Sequence, residues 1–249
     1  MTAYMASAKP YKGLGMEGWV ARWYTRTRRN DMEDFRREAR NVGQHLRTGC
    51  NVLEVAPGPG FFAIELAKLG DFRITGLDIS QTLVDIAKEN ARNEGVNIDF
   101  LLGNAAAMPF ADESFDIAYC SAAFKNFSEP VKALDEMHRV LRPGGTAIVA
   151  DLCKDASLDE IDAYVKQSGR SKIDAWLTKW TFRHLLLKRA YTKDDFKRIA
   201  QSSQFGKCEI TVGLIGFQVR FAKSACAVTD KMQRGGHDAN NPGVSRIPA

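Results

Sequence analysis

Glu54 closes an apolar run, Val52-Leu53-Glu54-Val55, and is followed by Ala56-Pro57-Gly58-Pro59-Gly60 and then by the amphipathic segment Phe61-Phe62-Ala63-Ile64-Glu65-Leu66-Ala67. A strand that ends in such a turn and opens a helix delivers backbone amides to one point. Gly58 and Gly60 carry no Cβ, so the turn can be tight and a ligand can approach the main chain closely. The helix behind the turn aims its free N–H groups and positive dipole end at the same place. This is the cradle of a nucleotide-like ligand, and two cofactor chemistries fit it. Gly58-x-Gly60-x-x-Ala63 also satisfies the dinucleotide fingerprint, with Asp78 at the distance of a ribose contact. Glu54 separates the two, because a carboxylate just ahead of the turn repels a pyrophosphate and suits an ammonium or sulfonium.

Two further segments extend the pattern. Gly103-Asn104-Ala105-Ala106-Ala107-Met108-Pro109-Phe110 places a polar side chain beyond a short strand, where it can accept from an adenine amino group. Leu141-Arg142-Pro143-Gly144-Gly145 reads as a helix stop and turn ahead of another strand. Taken with the glycine turn and Asp78, in this order and at this spacing, these residues resemble the class I S-adenosylmethionine-dependent methyltransferases. The resemblance is to the small-molecule branch that includes the ubiquinone/menaquinone-type enzymes. It covers residues 50–152 well and the C-terminal elements loosely.

The resemblance implies S-adenosylmethionine as cofactor and a seven-stranded sheet with its last strand antiparallel. It implies that Glu54, Ala56, Gly58 and Gly60 line the methionine and ribose portion. Asp78 would hold both ribose hydroxyls, Ile79 would lie on adenine, Asn104 would receive the adenine amino group and Ala105 would offer its amide. Ser121 to Phe124 would sit near the reacting methyl. Ala56 stands where the family often has glycine, Asn104 where aspartate is common, and Ala122-Ala123-Phe124-Lys125-Asn126-Phe127 lacks the histidines often found there.

Methyl transfer from a sulfonium is an in-line displacement whose hard chemistry the cofactor carries. A base is needed only when the acceptor is protonated at working pH. The sequence therefore demands no catalytic residue, and offers three candidates: His184, Asp151 at the end of the fifth strand, and Tyr24. Trp23, Trp176 and Trp180 are candidates for the acceptor pocket, which points to a small, aromatic or apolar metabolite methylated on O, N or C. No metal site is expected.

Alternating strands and helices must hold these residues. A strand, turn and helix are read from Asn51 to about Leu69, and further strands at Arg73–Asp78, Asn97–Leu101, Phe115–Cys120 and Thr146–Leu152, with helices between them. The fold class is α/β: a doubly wound, Rossmann-like, seven-stranded, mostly parallel sheet with N-terminal helices and a helical insertion after strand five. Residues 1–48 read as a helical cap, in which Asn30 or Asp31 caps a helix carrying Phe35, Ala39 and Val42. Residues 49–223 read as the transferase domain, with added helices at about 155–190, and 224–249 as a flexible polar tail. Thr192 and Asp195 form a capping box, and Cys208–Val212 and Gly216–Ala222 a closing hairpin.

Five scattered cysteines without CxxC spacing read as reduced thiols. The absence of a basic-then-apolar N-terminus implies a cytoplasmic chain, and no run of about 18 apolar residues spans a membrane. The net charge of +5 is mild, but arginines cluster between Arg22 and Arg40. Interleaved Asp31, Glu33, Asp34 and Glu38 make a solvated helix face the simpler reading, so nucleic acid is not the expected partner. An RNA or protein methyltransferase, and a non-catalytic cofactor-binding protein, are the alternatives. The sequence leaves the oligomeric state open, a homodimer included.

Overall fold

The computed structural model describes residues 11–12, 15–167, 187–213 and 215–225. Two helices, α1 (Gly18–Arg28) and α2 (Met32–Gly43), precede β1 (Asn51–Val55). There follow α3 (Phe61–Ala67), β2 (Arg73–Asp78), α4 (Gln81–Asn93), β3 (Asp99–Leu102), β4 (Phe115–Ser121), α5 (Pro130–Val140) and β5 (Leu141–Leu152). α6 (Leu158–Gln167), α7 (Lys193–Ser202), β6 (Glu209–Val212) and β7 (Gly216–Ala222) complete the described elements. Trp176, Trp180 and His184 lie outside the described residues.

The seven strands run β3-β2-β1-β4-β5-β7-β6. β1 to β5 are mutually parallel, and β7 pairs antiparallel with both β5 and β6. The chain leaves β3 at one edge and re-enters at β4 on the other side of β1. In an open α/β sheet that reversal opens a crevice at the strand C-termini, here those of β1 and β4.

Side chains alternate across the sheet with period two. Leu53 and Val55 of β1 face a core with α5, α7 and the closing hairpin. Val52 faces the other core, which gathers Phe62, Ile64 and Leu66 of α3, Ala87 of α4 and Ala39 and Val42 of α2. Glu54 has the parity of Val52, so an acid lies on an otherwise apolar face. Local signals fix the helix starts. The Ser80 side chain caps α4 by accepting from Leu83 N–H, Pro130 occupies the first turn of α5, and α7 has the expected reciprocal capping box. Replacing Thr192 by alanine removes an acceptor 3.0 Å from the Asp195 amide. The expected cost is about 1 kcal/mol, read as a lower urea midpoint with an unchanged slope.

Two local expectations are corrected. Asp31 occupies the N-cap of α2 but makes no side-chain cap bond; its carboxylate pairs with Arg28 at 2.6 Å. Arg142-Pro143-Gly144-Gly145 does not precede the fifth strand but interrupts it. Leu141 already pairs with Phe115, and pairing resumes at Thr146 opposite Ile117. The excursion is pinned by Arg142 on Asp116 at 2.8 Å and by Gly144, whose φ of +80° suits a residue without a Cβ.

Candidate active site

The glycine turn is held from three sides. Asp78, at the end of β2, accepts from Gly58 N–H at 2.9 Å through Oδ2 and from Ser80 N–H at 2.9 Å through Oδ1. Asn90 of α4 donates to Pro59 O at 2.9 Å. Ala56 donates to Leu77 O at 2.8 Å and takes φ of +58°, which accounts for the family's preference for glycine there. Gly60 is also left-handed, at φ +79°. A Cβ on it would lie 2.8 Å from Phe100 Cζ and 3.0 Å from Ala87 Cβ. Gly60→Ala is therefore expected to cost about 2–4 kcal/mol, from backbone strain and overpacking together, as measured by urea unfolding. Burial pushes the Asp78 carboxyl up to about 6, against the Ser80 and Gly58 amides that pull it down.

Beside the turn lies a pocket lined by Ala56, Leu77, Ile79, Asn104, Ala105, Phe127 and Glu129 among others. Most of its lining side chains are apolar, with Asn104 and Glu129 as the polar ones, a composition that suits an adenine. Asn104 Oδ1 already accepts from Ala106 N–H at 2.9 Å, an Asx turn that leaves its second lone pair for a ligand.

On the α2 side of β1 and β4 the site is acidic. Glu54 is only 4% exposed, and its Oε2 has no hydrogen-bond partner among the described residues. Its register partner on β4 is Tyr119. The Tyr119 hydroxyl donates to Glu38 Oε1, and Ser121 Oγ donates to the same oxygen at 3.1 Å. Tyr119 is itself stacked on Phe62, with ring centroids 4.2 Å apart. Glu38 thus leaves the solvated arginine face on which its neighbours lie and enters the site. Burial holds the Glu54 carboxyl well above its ordinary range, and like charge from Glu38 adds to that. Burial also raises Glu38.

α1 roofs the turn. A Cβ on Gly58 would meet Tyr24 Cε1 at 3.6 Å, so Tyr24 lies over the turn. Burial raises its hydroxyl. One turn on, Arg28 lies over the Phe35 ring at 4.8 Å, and its Nε is buried without a hydrogen-bond partner among the described residues. Trp23, a candidate for the acceptor pocket, is 61% exposed.

Past β4 the chain turns sharply at Ala122, φ +56°. Sequence reasoning missed what holds this turn. Lys125 Nζ reaches Asp151 Oδ1 at 2.7 Å and also donates to Ala122 O, while Lys125 N–H donates to Asp151 Oδ2 at 2.9 Å. Leu152 N–H adds a third donor to Asp151 at 2.8 Å. Asp151 is therefore a neutralised structural anion, not the base considered from sequence. Phe124 is fully buried among Phe127, Tyr191 and Phe196, so it backs the loop and does not line the site.

The arrangement offers amides and a carboxylate for a ribose, an apolar slot for adenine, and two unsatisfied buried atoms of opposite polarity. Glu54 Oε2 is an acceptor and Arg28 Nε a donor, the two polarities that an amino-acid end requires. A methyltransferase domain model matches residues 53–149. Residues 53–149 thus carry a methyltransferase domain of the class I S-adenosylmethionine-dependent kind. The chain is 30% identical over 164 residues to a demethylmenaquinone methyltransferase of Chlorobaculum tepidum, covering 64% of this chain and 66% of the relative. It is 35% identical over 124 residues to an O-methyltransferase of Aspergillus nomiae, covering 48% of this chain and 55% of that one. The chain thus spans two thirds or less of the length of these relatives. A Methanococcus maripaludis structure assigned to the S-adenosylmethionine-dependent methyltransferases shares the fold, with a TM-score of 0.68 at 20% identity over 87% of this chain and 98% of that one. Among the described residues no helix is long and apolar enough to cross a membrane, and no cluster of His, Cys, Asp and Glu suits a metal ion.

Proposed function

We propose that this chain transfers the methyl group of S-adenosylmethionine to an O, N or C atom of a small aromatic or apolar acceptor. The observation that carries the reading is Asp78, fixed on the Gly58 amide beside an acid whose buried oxygen has no partner. When bound, the cofactor supplies a methyl group on a sulfonium, activated for in-line displacement. The chain's part is to bind, orient and exclude water, which contributes several kcal/mol through proximity. Asp78 would accept the ribose hydroxyls, Ile79 and Ala105 would flank adenine, Asn104 would receive its amino group, and Glu54 and Arg28 would take the two charges of the methionine end. Tyr24 would close the turn from above. The relatives' names, one a demethylmenaquinone methyltransferase and one an O-methyltransferase, support a small-molecule acceptor without choosing the attacking atom. The RNA reading has less support, since Arg36, Arg37 and Arg40 pair with Glu33 and Asp34 along α2.

Transfer of label from S-adenosylmethionine across phenolic, enolic and amine acceptors tests the reading. Product on at least one class is expected. Firm S-adenosylhomocysteine binding with no transfer to any class would favour the non-catalytic alternative.

A pH dependence follows from Asp78. A protonated carboxyl accepts ribose hydroxyls poorly, so S-adenosylhomocysteine affinity is expected to fall as pH drops below about 6, approaching tenfold per unit. The unliganded fold shows the opposite trend. The raised carboxyl binds a proton in the folded chain that the unfolded chain has released. Its stabilising contribution is complete below the ordinary aspartate range and is lost as pH rises through about 6. Calorimetric affinities and ligand-free melting between pH 5 and pH 8 check both trends.

A further inference from the structure

Glu38 and Glu54 come from different parts of the chain, the second N-terminal helix and the first strand, yet both are neighbours of Tyr119. Glu54 neighbours Tyr119 across the sheet, and Tyr119 donates to Glu38. Ser121 supplies a second donor to the same Glu38 oxygen. The groups facing Glu54 are Glu38 from α2, Asp78 from β2, Tyr119 from β4 and the Ala63 amide of α3. Those facing Glu38 are Arg28 from α1, Asp34 on its own helix, and the two hydroxyls of β4. Among the described residues no cation partners Glu54 Oε2, which is buried and unsatisfied.

Two carboxyls in such a space do not both ionise; like charges at short range in low dielectric bind one proton between them. An ammonium group can replace that proton, since it brings one positive charge and three N–H donors. We propose that Glu38 and Glu54 form a single-cation pocket, holding one shared proton when the site is empty and the ammonium group of the methionine end when it is filled, so that binding expels a proton to solvent. The cap helix α2 thereby contributes to ligand recognition, and affinity is coupled to pH by a second group besides Asp78. The inference rests on the cofactor assignment above and adds to it the role of Glu38 and the exchange of proton for ammonium. Charge balances: one H⁺ leaves as one –NH₃⁺ enters.

Titration calorimetry of S-adenosylhomocysteine at pH 7, where Asp78 is already ionised, in buffers of differing ionisation enthalpy tests it. Release approaching about one proton per ligand is expected. 5′-Methylthioadenosine, which keeps adenine and ribose but lacks the amino-acid end, is expected to bind with no release. This comparison needs no variant. Glu54→Gln is expected to abolish the release and weaken S-adenosylhomocysteine roughly tenfold or more, with a smaller effect on methylthioadenosine. Glu38→Gln is expected to reduce the release, because the rival charge is gone while the burial of Glu54 remains. Equal proton release for the two ligands, or release unchanged in both variants, overturns the proposal while leaving the cofactor assignment intact. Failure of S-adenosylhomocysteine to bind at all overturns that assignment instead.

Discussion

Asp78→Ala is expected to weaken S-adenosylhomocysteine binding by a factor of about 100 or more. Two hydrogen bonds from ribose hydroxyls to a carboxylate are worth roughly 1.5–3 kcal/mol each, and about 1.4 kcal/mol is a factor of ten. The substitution also releases the Gly58 and Ser80 amides that Asp78 holds at 2.9 Å, so the turn loses its pre-set shape. The loss should come without a matching loss of fold. Burial penalises the ionised Asp78 carboxylate in the empty site, so its removal relieves a cost even as it frees two amides. Calorimetry beside a ligand-free melt separates the two effects. An intact melt with unchanged affinity would place the ribose elsewhere.

The largest effect on stability is expected from Lys125→Met. It leaves Asp151 buried without its cation, and breaking a buried pair in this way costs about 3–5 kcal/mol. The pair is well enclosed, with the side chains of Lys125 and Asp151 only 6% and 1% exposed. The double variant Lys125→Met with Asp151→Leu is expected to recover much of the loss, since an apolar pair of similar volume escapes the desolvation of two charges. A double-mutant cycle under urea gives the coupling directly. A small loss in the single variant, or full additivity in the double, would mean that the pair is not a closed unit. Its position explains why it is there. It ties the left-handed turn at Ala122 to the end of β5, so the loop past β4 keeps one conformation beside the site.

Much of this was legible before any coordinates. The glycine turn is a local signal, because a left-handed turn between an apolar run and a helix leaves few residue choices. Asp78 was found by its spacing from that turn, although its grip on Gly58 was not. The capping box at Thr192 and the closing hairpin are similarly local. Glu38 escaped because alternating acids and arginines on α2 look like a solvated face. Yet Phe35, Glu38, Ala39 and Val42 fall at helical spacing on one side, and an acid within an apolar stripe was the available sign. Lys125 gave no such sign. It sits in an irregular stretch, and its partner is brought to it only by the pairing of β4 with β5. The Arg142–Gly145 excursion was seen as a turn, but register is a tertiary property, and whether the strand starts before or after such a turn depends on what pairs with it. Phe124 was placed by analogy to a loop; the aromatic cluster that buries it draws on residues far along the chain.

The central claim is that the Glu54–Gly60 turn binds a sulfonium cofactor and not a dinucleotide. It is tested most directly by titrating the unmodified chain with S-adenosylhomocysteine and, separately, with NADH. Saturable one-site binding of S-adenosylhomocysteine, with NADH binding far weaker or undetectable, is the predicted result. NADH binding tighter than S-adenosylhomocysteine, or no heat from either, would contradict it.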